Sequence, residues 1–381
     1  MKRRIWFPLF ILTIVFLGCD FSGCGTPGGS GGSGDDDSHS VDDDSADDDT
    51  PAGDDDSTPT DDDTTPVDDD TPSDDDTSSD DDTAPDDDAD WSPMTSGTTS
   101  DLLGVWGSSS SDVYVVGFQP GTILHYNGAS WSVEESESWL ELWGVWGSAA
   151  TNVFAGGDVS DFPGNYYSYI MQYNGVGWAG TMYGGLAGFA GVWGSSATDI
   201  FAAGEDYLGA LVYHYDGSSW TPMLQDEMEG TLCGIWGSSG TDVFAVGTGG
   251  LILRYDGFSW SEMTSNTTAD LWGVWGSSGS DVFAVGTGGT ILRYDGSSWS
   301  EMKTVTEVNL YDVWGTSASN IYAVGEAAGN KWTVGVILHY DGSSWTPMAS
   351  GTKMPLYGVW GSSASDVFAV GDEGTILHYG Y

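Results

Sequence analysis

Cations are scarce in this chain. Its 381 residues carry 8 Lys+Arg against 58 Asp+Glu, a formal net charge of −50. Nucleic acid needs a cationic footprint to release its counterions, so it is excluded as a partner. An anionic membrane surface is disfavoured on the same ground. No Ser/His/Asp triad, phosphate loop or dinucleotide fingerprint appears. The apolar run Ile5–Gly18 falls short of the roughly 20 residues that span a bilayer. Cysteine is scarce, with Cys19, Cys24 and Cys233 the only three. What is abundant is Gly, 57 residues, and aromatics, 13%. With the skewed charge, these mark an extracytoplasmic all-β chain rather than a cytosolic enzyme.

Half of the acid lies in the first ninety residues. Lys2, Arg3 and Arg4 precede the apolar run, which ends at Cys19. A basic segment followed by an apolar one reads as an export signal over 1–18. Phe16-Leu17-Gly18-Cys19 resembles the lipobox of bacterial lipoproteins, in which the signal is cut before a Cys that carries the lipid. The resemblance implies lipidation at Cys19, membrane contact through that anchor alone, and a place in the cell envelope. The outer membrane or cell surface fits better than the inner membrane. Residues 19–90 hold nine Asp triplets among Gly, Ser, Thr and Pro, with almost nothing to bury. They are expected to form a disordered, self-repelling spacer, ~240 Å long if fully extended. The Gly-Gly-x-Gly-x-Asp pattern of a calcium solenoid is absent, leaving at most non-specific divalent-ion condensation.

From Trp91 to Tyr381 the chain repeats itself, with a net charge of −24. A Gly-Val-Trp-Gly-Ser phrase, with variants, centres on Trp106, Trp146, Trp193, Trp236, Trp275, Trp314 and Trp360. Each copy continues into a Val-Phe-Ala-Val-Gly-like run, an Ile-Leu-His/Arg-Tyr run, an Asp-Gly or Asn-Gly turn, and a Trp-x-x-Met-like run. Four short strands per roughly 40 residues make a β-propeller blade. The last kind of Trp also occurs seven times, at 91, 131, 178, 220, 260, 299 and 345, and its first copy precedes any inner strand. The Trp91 strand is therefore expected to complete the blade of Trp360. The reading is a single seven-bladed, all-β propeller of four-stranded blades over 91–381, closed by that N-terminal strand and functioning as a monomer.

The runs Val243–Gly247 and their equivalents are apolar at both alternating sets, so both sheet faces are buried. The two Trp series read as interblade packing. Asp112, Asn152, Asp199, Asp242, Asp281, Asn320 and Asp366 share one position and are expected to cap their own turn backbone. His125, His214, His339 and His378 alternate with Gln172, Arg254 and Arg293 on different blades, so they cannot converge on a metal. No cofactor or metal is expected. Cys233 takes a position filled elsewhere by Leu103, Trp143, Ala190, Trp272, Tyr311 and Tyr357, and reads as a buried apolar residue. A disulfide to Cys24 in the spacer is not expected.

Val-Phe-Ala-Val-Gly-x-Gly followed by Tyr-Asp-Gly-Ser-Ser-Trp-x-x-Met resembles kelch repeats. Asp-Gly-Ser-Ser-Trp also resembles a shortened Asp-box of the sialidase-like BNR repeats. The segment looks most like the Trp-Gly-Ser-Ser-x-x-Asp-Val propeller repeats of bacterial secreted lipoproteins. These resemblances imply a fold and little about function. Sialidase chemistry needs an arginine cluster, and Arg254 and Arg293 both sit at a scaffold position. Copper–radical oxidation needs a Cys–Tyr crosslink and converging His, which nothing here matches.

Comparing the copies with one another locates the variation. Connections between second and third strands, and between blades, vary and emerge on one face; the other two stay short on the opposite face. Insertions on one face of a repeat array mark the binding side. Three connections are enlarged: Asp158–Tyr169, Glu205–Gly209 and Glu326–Gly335. The candidate ligand-binding residues are Asp158, Asp161, Phe162, Tyr166, Tyr167, Tyr169, Glu205, Asp206, Tyr207 and Trp332. Aromatics beside carboxylates suit sugar stacking or a basic protein patch. A non-catalytic module binding a protein or glycan is the leading expectation. The alternative is a carbohydrate-active hydrolase with paired carboxylates on that face.

Overall fold

A computed structural model describes residues 91–380, except 119, 162–164, 184–187, 207, 226–227, 305–306 and 329–332. The signal, Cys19 and the spacer lie outside the described residues. β1 (Trp91–Met94) comes first and alone. Blade 1 follows as β2 (Asp101–Ser109), β3 (Asp112–Phe118), β4 (Gly121–Tyr126) and β5 (Trp131–Glu137). Blade 2 is β6 (Leu140–Ala149), β7 (Asn152–Asp161), β8 (Asn165–Tyr173) and β9 (Trp178–Tyr183). Blade 3 is β10 (Gly188–Ser196), β11 (Asp199–Asp206), β12 (Gly209–Tyr215) and β13 (Trp220–Leu224). Blade 4 is β14 (Leu232–Ser239), β15 (Asp242–Gly247), β16 (Ile252–Tyr255) and β17 (Trp260–Glu262). Blade 5 is β18 (Leu271–Ser278), β19 (Asp281–Gly286), β20 (Ile291–Tyr294) and β21 (Trp299–Glu301). Blade 6 is β22 (Asn309–Ser317), β23 (Asn320–Ala328), β24 (Thr333–Tyr340) and β25 (Trp345–Met348). Blade 7 is β26 (Leu356–Ser363), β27 (Asp366–Gly371) and β28 (Thr375–Gly380), completed by β1.

Every sheet runs antiparallel in simple order, from inner strand to outer. Trp91 pairs with Tyr379 and Met94 with Ile376, so the first strand of the chain does close the last blade. Inner strands touch their neighbours all round the circle, including β26 against β2. The second strands are buried on both faces: Val243, Phe244, Ala245 and Val246 are each 0% exposed. Each hydrophobic cluster spans two adjacent blades, as where Phe244 and Val246 of blade 4 pack with Val282 and Ala284 of blade 5. The core is thus a ring of interblade layers rather than one central mass.

Two repeated contacts fix that ring. The inner-strand Trp of each blade lies over the Gly that follows the Trp in the next: Trp106 over Gly147, Trp146 over Gly194, and so on to Trp360 over Gly107. A Cβ on Gly276 would meet the Trp236 ring at 2.7 Å and the Asp281 carbonyl oxygen at 2.9 Å. These Trp are half-buried, while the outer-strand Trp91, Trp299 and Trp345 are buried.

The second contact corrects an expectation. Asp112 and its equivalents do not cap their own turn; they join side chains from three strands. Ser108 donates to Asp112 Oδ2 at 2.5 Å, and His125 Nε2 lies 2.7 Å from Asp112 Oδ1. Ser277, Asp281 and Arg293 repeat this in blade 5, and Thr316, Asn320 and His339 in blade 6. A carboxylate reaching both neighbouring strands satisfies more donors than a turn cap does. The turn caps are instead the Asp and Asn of the third-to-fourth strand turns: Asp216 Oδ1 accepts from Ser218 N at 2.8 Å and Ser219 N at 2.9 Å.

Cys233 is also corrected. It is half-buried and disulfide-bonded. Its position is the bulged residue of the inner strand, which turns away from the interblade core.

Candidate binding face

The constant face carries the Ser–Asp–His clusters, but these are not catalytic triads. The carboxylate stands in the middle and accepts from both Ser and His, whereas nucleophilic catalysis needs Ser bonded to His. Arg254 and Arg293 are held here by Asp242 and Asp281, at 2.8 and 2.7 Å. This face therefore uses its polar groups on itself.

The variable face differs from expectation in form. The enlarged connections are not loops but extensions of the second and third strands into longer hairpins. β7 and β8 pair from Val153↔Tyr173 out to Asp161↔Asn165, whereas β15 and β16 stop after four pairs, at Val246↔Ile252. β23 and β24 extend likewise to Ala328↔Thr333, and β11 and β12 to Asp206↔Gly209. Three Tyr among the five residues 165–169 favour strand over loop.

Within each blade a β-bulge lies near this end of the inner strand. Register shifts between Leu102 and Gly104, Leu142 and Gly144, and at the same place in the other five blades. A bulge re-aims its side chain. The bulged residues are Leu103, Trp143, Ala190, Cys233, Trp272, Tyr311 and Tyr357, all at one level round the channel. Following the last Gly of each second-strand core run stand Phe118, Asp158, Glu205, Thr248, Thr287, Glu326 and Asp372. Four carboxylates thus share one ring position.

Three of these carboxylates are bonded by the bulged aromatic of their own blade. Trp143 Nε1 donates to Asp158 Oδ2 at 3.3 Å, Tyr311 Oη donates to Glu326 Oε1 at 2.6 Å, and Tyr357 bonds Asp372. Phe118 stacks on Trp143 with centroids 5.6 Å apart, and Tyr311 lies 5.2 Å from Tyr357. Burial, then the Glu141 charge directly across the strand pair, lifts Asp158 to about 7, against the Trp143 bond. Burial and nearby Asp101, Glu326 and Glu373 lift Asp372 to about 6, while the Tyr357 bond pulls it down. Burial raises Glu205 too, opposed by its bond from Thr231.

The ten candidate residues divide accordingly. Asp158 of blade 2 lies beside Gly188 of blade 3, whose partner in the strand ladder is Glu205. Asp206 is buried, and caps its hairpin by accepting from Leu208 N at 2.9 Å and from Gln225 at 3.3 Å. Tyr169 is 8% exposed and faces blade 1 with half-buried Tyr167, on the opposite side of the hairpin from Asp158. Asp161 and Tyr166 belong to β7 and β8. Phe162, Tyr207 and Trp332 lie outside the described residues. Sequence reasoning aligned Trp143, Trp272, Tyr311 and Tyr357 at one repeat position and placed Glu326 in an enlarged connection, but chose none of them as site residues; Asp372, at the position after the core Gly, it did not single out.

Among the described residues, no group of three or more His, Cys, Asp and Glu could hold a metal ion. No family profile matches the chain, and no curated protein matches it by sequence. Solved structures do match. The fold is that of seven-bladed propellers of the YCF48 and WD40 kind. The structure titled YCF48 bound to D1 peptide is 15% identical, with TM-score 0.59 over 76% of this chain and 95% of that one. YCF48 from Cyanidioschyzon merolae is 13% identical, with TM-score 0.56 over 77% and 99%. The WD40 propeller domain of Doa1 is 11% identical, with TM-score 0.60 over 75% and 94%. At such identities the likeness concerns the fold alone.

Proposed function

We propose that this chain is an exported, envelope-tethered, non-catalytic propeller that holds a protein partner on its variable face. The observation that carries this is the asymmetry of the two faces. The constant face spends its Asp, Ser, His and Arg on internal staples, whereas the extended hairpins, the bulged aromatics and the raised Asp158, Glu205 and Asp372 gather on the other. A partner bringing basic groups fits a face on which the described residues offer Lys303 and Lys353 as the only Lys or Arg, both on connections between blades. That a YCF48 structure is titled as bound to a peptide supports a protein partner for this architecture. The hydrolase reading would use Glu141 and Asp158, which stand opposite each other. Against it, Asp158 Oδ1 is buried and its Oδ2 accepts from Trp143, so this carboxyl is not open to a glycosidic oxygen.

The test is a pull-down of envelope proteins, run beside a glycan array, with the full chain and a variant. In the variant the β7–β8 extension is cut back to the Thr-Gly-Gly turn found at Thr248–Gly250. Loss of a protein partner only in the variant is the expected result. Glycan binding, or turnover of a polysaccharide abolished by Asp158→Asn, would replace this reading. The anchor has its own check: metabolic labelling with an alkyne fatty acid should mark the chain and not Cys19→Ser.

A further inference from the structure

Of the 19 Trp, 14 belong to the two repeated series, and Trp139 is one of the few that do not. It stands in the connection from β5 to β6, and its side chain is open to solvent at 41% exposure. The ring meets the edge of Tyr169 at 6.2 Å and 79°, so Tyr169 supports it from within blade 2. Tyr169 in turn lies across from Met182, 58% exposed, on β9. The result is an exposed indole with a fixed orientation and an apolar flank. It lies in the cleft between the outer parts of blades 1 and 2.

The surroundings of that indole are acidic without relief. Residues 131–183 contain Glu134, Glu135, Glu137, Glu141, Asp158 and Asp161, and no Lys, Arg or His. Glu137 Oε2 accepts the Trp139 Nε1 proton at 3.1 Å. Glu135, paired with Ile123 of β4, lies near enough to Tyr169 for its charge to add to burial in raising the phenol. Glu134 Oε1 lies 3.6 Å from His125 Nδ1 and is engaged with its own blade. Glu135 and Glu137 are thus the carboxylates on the cleft.

We infer that this cleft is a subsite for an arginine side chain carried on an extended segment of the partner protein. The chemistry is selective. The indole N–H is already spent on Glu137, so the cleft presents a π face and carboxylate acceptors. A sugar could stack and donate its hydroxyls here too, but it carries no positive charge to meet these carboxylates. A guanidinium is planar, stacks on an indole face, and donates in a fixed fork to carboxylates at its edge. An ammonium is drawn to the ring face and donates to carboxylates, but it has neither the plane that stacks nor the fixed fork. Met182 and Tyr169 offer apolar surface to the stem of the side chain. The inference rests on the proposed role of the variable face and adds the partner's chemistry to it.

The experiment is fluorescence anisotropy on the full chain at 0.15 M salt, with a labelled peptide of alternating Arg and Ser as probe. The Asp-rich segment will attract any polycation, so the informative quantity is the difference between variants. Trp139→Ala is expected to weaken binding roughly tenfold, and Glu135→Gln with Glu137→Gln by a similar factor. Trp139→Phe should recover part of the loss, and a citrulline peptide should bind no better than the Ala variant binds the Arg peptide. An unchanged melting temperature in Glu137→Gln keeps the result readable if Trp139→Ala perturbs folding. Equal affinity of the parent chain and Trp139→Ala would overturn the subsite. If the hairpin-shortened chain nevertheless loses its partner, the variable face stands and the arginine site falls. If neither change matters, both readings fall.

Discussion

At the residue scale, the molecule depends on a glycine whose role is invisible in a single repeat. Gly276 is needed not for a turn but because the Trp236 ring of the preceding blade lies where its Cβ would be. Gly276→Ala should destabilise the chain by ~1–3 kcal/mol through overpacking, measured by denaturant unfolding. Gly288 is the comparison. Its φ is +66° but nothing lies within 4 Å of the added Cβ, so Gly288→Ala should cost only ~1 kcal/mol of backbone strain. A larger loss at Gly288 would mean that ring packing is not the governing contact. The Asp staples carry a second lesson. Sequence spacing identified Asp281 and its equivalents as scaffold but assigned them to the turn backbone. The true partners, Ser277 and Arg293, are four and twelve residues away and meet only once three strands are aligned. Asp281→Ala should cost ~1–2 kcal/mol, because it leaves a half-buried guanidinium unpaired, while Asp281→Asn should keep most of the stability, as Asn152 and Asn320 do in their own blades.

At the element scale, the strands were legible because period-2 apolar patterns and Asx-Gly turns are local properties. Trp, Tyr and Asp at fixed offsets located every blade. The bulges were not legible. A bulge adds one residue to an inner strand, and Gly-Val-Trp reads the same whether the residue before it is paired or pushed out. That single displacement sets Trp143, Tyr311 and Tyr357 against Asp158, Glu326 and Asp372, a pairing that the aligned repeats alone do not show. The hairpins were misjudged for a related reason: residues such as Asp158 and Ser160 look like loop formers until Ser168 and Tyr166 pair with them. Since blades 4 and 5 fold with three-residue Thr-Gly-Gly turns, cutting β7–β8 back to that turn should leave a cooperatively folding ring, its melting temperature lowered by several degrees through the loss of buried Val159 and Tyr169. A much larger drop would make the hairpin a structural brace instead of a binding element.

At the scale of the whole molecule, closure and charge set stability together. Trp91 is buried, packed against Tyr322 at 6.2 Å and Tyr379 at 5.4 Å, and pairs the otherwise open edge of β28. Deleting Trp91–Met94 should cost at least the ~3–5 kcal/mol of a buried Trp and broaden the thermal transition, because the blade 6–7 interface loses its outer layer. The ring also holds acids that burial has raised: Asp158 and Asp312 to about 7, Asp372 to about 6. Asp312 stands where six other blades have Gly, and its carboxylate accepts from Val313 N at 2.8 Å and Val359 N at 2.9 Å. A carboxyl whose folded pKa exceeds its unfolded value of roughly 4 binds more protons in the native state across the interval between them. Its contribution is complete below about pH 4 and is lost as pH rises through 6 to 7. The exposed Asp216, Asp295 and Asp341 act in the opposite sense, because Ser hydroxyl and backbone donors hold them down to about 2. Their contribution is present above about pH 4 and is lost as pH falls toward 2. The melting temperature, followed from pH 3 to 8 at constant ionic strength, should therefore peak near pH 4 to 5 and decline toward pH 8. The net −24 of the ring segment adds repulsion in the same direction, which Asp312→Gly separates out. That variant removes one charge of many but the whole titration of a desolvated carboxylate, so its decline between pH 5 and 8 should be visibly shallower than the parent's. Parallel declines would assign the pH dependence to surface repulsion and show that the two backbone donors keep Asp312 ionised throughout.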